Sequence, residues 1–333
     1  MEGRYRLETG AGGVALRIVE PYQFLYQTHC KLPWRNKQLI AIFRDHFKAF
    51  SKDYYLNAIS TGAITVSGQS VTPEYKVRNG DVIEHRTLRR EPPVLDLPIT
   101  IEYDLPTMLV VCKPPSMPTH LCGAYLHNSM LGILENERGI KGLKPVHRLD
   151  RVTSGVIVLA KNSKTAGQLA TLMKQDSCEK WYVAKVKGDF PSGEIQVNAP
   201  IVCISKAEGR YGLSPDGKLS ETRFYREKYF EGSDTTVVRC RPITGRTHQI
   251  RLHLQHLGFP IANDNCYGGH SSEAVADPHQ GQKRVRIGEG EGVELEETEQ
   301  MMIFLHAFRY KLTQNLDFEV NWPKWALEDV NDY

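Results

Sequence analysis

The chain has 333 residues, room for roughly two domains at about 150 residues each. Apolar residues make up 41% and charged residues 24%, enough for a buried core and unlike a disordered chain, a collagen or a coiled coil. The net charge of +3 hides an asymmetry: residues 289–300 (EGEGVELEETEQ) hold six Glu and no Lys or Arg, so the remainder carries +9 once those six charges are set aside. A basic body with one acidic loop is compatible with a polyanion partner, although a soluble protein with a solvated loop would look the same.

The first 33 residues read as an N-terminal extension, and MEGRYRLETG lacks the apolar core of a secretory signal. Residues 34–84 read as a small α+β module. Arg35–Ser51 carries an amphipathic helical pattern, and Tyr54–Ala58 and a Thr61-Gly62 turn follow. Strands are predicted at Ala63–Val66, near Val71, and at Val82-Ile83 after Asn79-Gly80-Asp81. The segment GAITVSGQSVTPEYKVRNGDVI resembles the S4-type RNA-binding module.

Residues 85–98 read as a linker, with His85, Arg86, Arg89 and Arg90 followed by Pro92-Pro93 and Pro98, because prolines favour extended backbone. From 99 to 326 the pattern is mixed. Strands are predicted over 108–112, 156–160, 181–186, 235–241 and 303–310, and helices over Ser163–Lys174 and Thr247–His256. They do not alternate regularly, which predicts α+β and not a doubly wound sheet. Residues 269–300 read as a mobile acidic insertion loop.

The longest apolar runs, such as Leu39–Phe43 and Val156–Ala160, are five residues, against about 20 for a membrane helix. Seven cysteines (30, 112, 122, 178, 203, 240, 266) are scattered without a CxxC pair, which points to reduced thiols in an intracellular compartment. No metal is expected: His248, His253 and His256 have the wrong spacing for one helix face and no Cys pair nearby. GEGEG at 288–292 lies among acids and cannot cradle phosphate.

The most informative segment is HRLDRVTSGVIVLAK at 147–161, where a polar, turn-competent cluster runs into a buried strand. Taken alone, Asp150 would most simply be a turn residue or a cap. In its context the segment resembles the central motif of the RluA-type pseudouridine synthases. Three further stretches resemble the same family in the same order: MLVVCKPPS at 108–116, KWYVAKVKG at 180–188, and PITGRTHQIRLHLQHLGFPIANDNCYG at 242–268. Ser116 and Asn263 stand where the family usually has Gly, which puts local turn geometry in question. EPPV at 91–94 and HNS at 127–129 further resemble a eukaryotic subgroup.

The resemblance implies a fold with a central mixed, largely antiparallel sheet, flanking helices and a catalytic cleft. It implies isomerisation of uridine in RNA to pseudouridine: the N1–C1′ bond breaks, the base turns, and C5 bonds to C1′. A carboxylate can serve as nucleophile or base there without a cofactor. By the same resemblance Asp150 is the catalytic residue, Arg251 its cationic partner, and Tyr182 a ring stacked on the target base. Arg148 would fill the space of a flipped base, with a phosphate clamp or salt bridge equally open. Leu305 would pack near the base, with plain core packing equally open. Arg246, His248, Arg86, Arg89 and Arg90 would contact RNA, and His147 is assigned to structure. The expected partner is RNA, with tRNA favoured and rRNA or mRNA open. The protein is expected to be a monomer of the cytoplasm or nucleus, with an organelle still open. Two rivals stand beside this reading: an RNA-binding factor that kept the fold and lost catalysis, and an Asp-dependent glycosylase that releases the base.

Overall fold

A computed structural model describes residues 5–9, 13–47, 49–175, 177–205, 209–268 and 301–330. The acidic segment 269–300 lies outside the described residues. The chain forms two compact units, one from Glu20 to Glu91 and one from the flanking segments that end at Val19 and resume at Pro92.

The larger unit is α+β, as the irregular order of elements predicts. One sheet runs Glu194–Asn198, Glu221–Phe230, Thr235–Pro242, Glu179–Lys187, Leu305–Thr313, Ser154–Ala160, Met108–Lys113, Thr100–Asp104. Its pairs are antiparallel except one at the centre, where Ser154–Ala160 runs parallel to Leu305–Thr313. All seven residues of Ser154–Ala160 are buried, the pattern of a strand covered on both faces. At Gly155 the backbone takes φ +119, and a Cβ there would stand 2.1 Å from the Ala307 carbonyl oxygen. Only glycine lets the parallel neighbour come this close. This register is what places residue 150 at the head of a central strand.

Helix Ser163–Leu172 starts where Asn162 accepts the Thr165 N–H at 2.9 Å. A helix absent from the sequence-based expectation spans Met130–Arg138. Ser129 accepts the Gly132 N–H at 3.1 Å, and Gly139 ends the helix at φ 66. Helix Gln249–His256 buries its first six residues, Arg251 and His253 included.

The boundaries differ from those expected. The supposed extension is structured: Tyr5–Thr9 pairs with Ala15–Val19, which pairs with Val94–Leu95, all in the larger unit. Arg17 secures this sheet. Its Nε donates to Asn128 Oδ1 at 3.1 Å, and Asn128 Nδ2 donates to the Pro92 carbonyl at 2.9 Å. Thus EPPV and HNS, distant in sequence, meet through one buried asparagine. Residues 85–98 are not a free linker either. Val82–Arg89 is a strand with Tyr22–His29 and Ile64–Val66 on its two sides. Extended backbone was the correct inference from the prolines, but the basic residues before them find a partner strand some sixty positions away.

The smaller unit packs helices Leu39–His46 and Lys52–Ser60 with this sheet around Trp34, Leu39, Phe43, Tyr55, Ile64 and Ile83. The expected single helix over Arg35–Ser51 is shorter, and Ser51 instead caps the next helix by accepting the Tyr54 N–H. Val71 lies in no strand.

The two departures from glycine have local explanations. Ser116 adopts φ 72, a left-handed backbone that glycine takes freely, and its buried Oγ accepts the Leu95 N–H at 2.8 Å. Asn263 has no positive φ. Its side chain accepts the Phe304 N–H at 2.7 Å and donates to the Met302 carbonyl at 3.3 Å, tying 263 to the strand that carries Leu305.

Candidate active site

Asp150 sits in the turn before Ser154–Ala160, where its carbonyl accepts the Thr153 N–H at 3.1 Å. Its side chain is 25% exposed, so the carboxylate is reachable while flanked by protein. Two groups approach it on the same oxygen: Arg251 Nη1 lies 3.8 Å from Oδ2, and His248 Nε2 lies 3.7 Å from Oδ2.

The expected Arg251–Asp150 pairing is therefore the longer of Arg251's two ion pairs. The shorter is a fork to Asp264, with Nε to Oδ2 at 2.5 Å and Nη2 to Oδ1 at 2.8 Å. Both side chains are buried, at 3% and 1% exposure. Burial opposes the guanidinium charge, but Asp264 and then Asp150 outweigh it and raise its pKa further. Asp264 thus holds Arg251 in place, and one free corner of the guanidinium faces Asp150. The Arg251 guanidinium also lies 4.7 Å from the Tyr267 ring centroid. Asp264 lies inside a motif already visible in the sequence. The signal that finds it is a question of charge: an arginine on a helix with an apolar stripe needs an acid if that helix is interior.

Tyr182 stands on Glu179–Lys187, at a bulge where it faces Ala307. Its hydroxyl and that of Tyr310 are 2.6 Å apart, and Tyr310 stacks on His147 at 4.4 Å. Burial raises the Tyr182 pKa and the Asp150 charge adds to it, so the phenol stays neutral. His147 Nε2 accepts the Val158 N–H at 3.0 Å, which makes it part of the scaffold.

Lys113 was not expected at the site. It is fully buried at the end of Met108–Lys113, and Nζ donates to the carbonyls of Pro114 (2.8 Å), Met117 (2.9 Å) and Arg151 (3.2 Å). Burial pulls its pKa down to about 7, with the Asp150 charge acting in the opposite direction. The last of its three bonds fastens the residue after Asp150.

The remaining expected residues divide. Arg148 is exposed, forms no hydrogen bond or ion pair among the described residues, and its charge acts on His248 and Cys122. Leu305 is buried opposite Ala184. Arg246 is exposed and donates through Nε to the Leu219 carbonyl at 3.2 Å. Arg86, Arg89 and Arg90 belong to the smaller unit or its edge. Arg86 is exposed and Arg90 half-buried. Arg89 is buried, with its guanidinium 4.4 Å from the Phe24 ring centroid, because strand alternation turns it inward where Arg86 also stands on the strand but faces water. An RNA contact by Arg89 is not what this packing favours.

His253 bonds Thr222 Oγ1 (2.8 Å) and the Ala199 carbonyl (3.0 Å), so both ring nitrogens are engaged in structure. Gln249 likewise ties Thr244 and Arg246 to Glu221 and Thr222, which fixes the start of the helix. Among the described residues no helix is long and apolar enough to cross a membrane.

Buried neutral imidazoles make the fold sensitive to acid. Burial pushes His306, bonded to Ser154 Oγ at 2.8 Å, down to about 3, and does the same to His147. The unfolded chain then binds more protons than the folded one below the ordinary histidine pKa. Stability should be full above pH 6.5 and decline as pH falls towards 3, by about 2 kcal/mol per histidine at pH 5. Urea unfolding at pH 7.5, 6 and 5 measures this, and equal midpoints would contradict it.

A family model described as RNA pseudouridylate synthase matches residues 107–256. The rice "RNA pseudouridine synthase 7" is 42% identical over 259 residues, 75% of this chain and 65% of the relative. The "tRNA pseudouridine(31) synthase" of Saccharomyces cerevisiae is 35% identical over 296 residues, 77% of this chain and 72% of the relative. The chain spans less than two thirds of several other curated relatives, down to 45%. A solved structure, "Human RNA Pseudouridylate Synthase Domain Containing 1", shares the fold at a TM-score of 0.50 and 22% identity, covering 68% of this chain and 84% of that one.

Proposed function

Because the chain belongs to the RluA-type family of RNA pseudouridine synthases, we propose that it isomerises uridine in RNA to pseudouridine, with Asp150 as the reacting carboxylate. The observation that carries this is a partly exposed carboxylate held against a buried guanidinium that a second carboxylate fixes in place. Such a group is oriented and incompletely hydrated, which suits attack on a sugar or base without a cofactor.

Tyr182 stacks on the extruded base, the usual way proteins hold an unstacked pyrimidine. Arg148 offsets part of the few kcal/mol of base flipping by entering the vacated space, which its exposed and unpaired side chain allows. Leu305 lies under the base pocket. The substrate is tRNA in this proposal, a choice supported by the name of the yeast relative. The protein acts as a monomer, without metal, in the cytoplasm or nucleus. The test is direct: incubate an RNA pool with the protein, digest to nucleosides, and separate uridine, pseudouridine and uracil. Pseudouridine supports the proposal. Free uracil with abasic RNA would make the protein a glycosylase, and unchanged uridine would leave a binding factor.

The unit from Glu20 to Glu91 is an S4-like module that grips RNA backbone, with Arg86 and Arg90 on the phosphates. A fragment beginning at Pro92 would lose Ala15–Val19 and expose Leu95, so the better variant bridges Val19 and Pro92 with a short Gly-Ser linker. Arg17 already pairs with Val94, which leaves these two ends adjacent. This variant should bind RNA more weakly, with the salt slope flatter by roughly 0.9 for each phosphate that is no longer neutralised. An unchanged affinity and slope would remove the gripping role.

A further inference from the structure

We propose that His248 is a positioning residue for Asp150: together with Arg251 it flanks the carboxylate on its Oδ2 side and sets its orientation towards the substrate. This rests on Asp150 being the reacting group. The closest approach of each group to the carboxylate ends on Oδ2, at 3.7 Å for His248 and 3.8 Å for Arg251.

Three features of His248 point the same way. Its backbone is left-handed, at φ 59 and ψ 18, a conformation uncommon for a residue with a side chain and often kept where function demands it. It occupies the position before helix Gln249–His256, yet its side chain makes no capping bond to that helix. The ring is instead held by Tyr267, whose hydroxyl lies 2.7 Å from Nδ1, and is edged by Tyr211 at 5.4 Å.

The proton arrangement follows from the partners. Burial keeps the Tyr267 phenol neutral, so its O–H is available to donate to Nδ1. The neutral ring then carries its own proton on Nε2, facing Asp150. The charged groups acting on the imidazole are Asp150, Arg251, Asp264 and Arg148. Burial lowers its pKa and the Asp150 charge opposes that shift. The side chain is only 10% exposed, which leaves little of it for a phosphate.

The experiment uses the full chain with nitrogen-15-labelled histidine. Ring spectra of the wild type should show the proton on Nε2, and Asp150→Asn should lower the His248 pKa because the opposing charge is gone. Turnover and RNA affinity are then measured separately. His248→Asn tolerates the left-handed backbone and can still reach Tyr267, but not Asp150. It should lose about 10–100-fold in kcat, as small misplacements of a reacting group do, with the Kd for RNA changed by less than about twofold because phosphate contacts lie elsewhere. His248→Gln, whose amide nitrogen reaches the place of Nε2, should recover part of the loss. Weaker RNA binding with kcat retained in His248→Asn would make His248 an RNA contact and overturn the proposal. So would a His248 titration unmoved by Asp150→Asn. A wild type that makes no pseudouridine would refute the proposed activity, whereas the ring titration still decides whether His248 and Asp150 are coupled.

Discussion

Asp150→Asn is expected to bind RNA at close to wild-type strength and to form no detectable pseudouridine. The amide keeps the size of the carboxylate. Among the described residues the carboxylate it replaces has two long contacts, to Arg251 and His248. Arg251 is oriented by Asp264, so the guanidinium stays where it is when residue 150 loses its charge. Folding should therefore be nearly unaffected. An amide is neither a nucleophile nor a useful base, and removing such a group costs about 10⁴–10⁶-fold in turnover. RNA affinity comes mainly from phosphate and stacking contacts, which this substitution leaves alone. Pseudouridine formed by the variant at the wild-type rate would end the assignment of Asp150.

Arg251→Met is expected to damage stability as well as turnover. The sequence alone suggests that chemistry would suffer first, because the methionine keeps the aliphatic stem. The buried fork to Asp264 changes that expectation. Without the guanidinium, a carboxylate at 1% exposure keeps one Cys266 N–H at 3.0 Å and loses its cation. Breaking such a pair from one side costs about 3–5 kcal/mol, a fall of roughly 6–20 °C in Tm for a unit of this size. Adding Asp264→Asn removes the stranded charge and should return much of the stability but none of the turnover. If the single variant melts with the wild type, or the double variant melts no higher than the single, the fork does not support Arg251 in this way.

Much of the large sheet was legible because its central strands are continuous apolar runs, and Val156–Ala160 admits few other interpretations. Asp150, Tyr182 and Arg251 could be assembled on paper because each lies in a distinctive motif. What stayed hidden depends on long-range pairing. Tyr5–Thr9 and Ala15–Val19 are short and carry no signal of the partner at Val94. Arg86 and Arg89 look alike in a basic run, and only the strand they share decides that one faces water and the other Phe24. Lys113 and Asp264 sit inside visible motifs, but a motif does not say which of its charges is buried. For Asp264 that follows from the helix Gln249–His256 being interior, which eight residues of mixed sequence cannot announce, and for Lys113 from three carbonyls that close around its ammonium.

The pairing of Arg17 with Val94 across the whole smaller unit also bears on the order of events during synthesis. Closing a flexible loop of roughly 70 residues costs about 4 kcal/mol of chain entropy. If the segment 20–91 folds first, its own strands Tyr22–His29 and Val82–Arg89 bring the two ends together, and that cost is already met when Val94 leaves the ribosome. The N-terminal strand pair then waits for its third strand, Val94–Leu95, until the intervening unit is complete. Weakening that unit's core with Ile42→Ala should slow the appearance of a protease-resistant N-terminus in timed refolding, and an unchanged rate would show that the N-terminal strands dock without it.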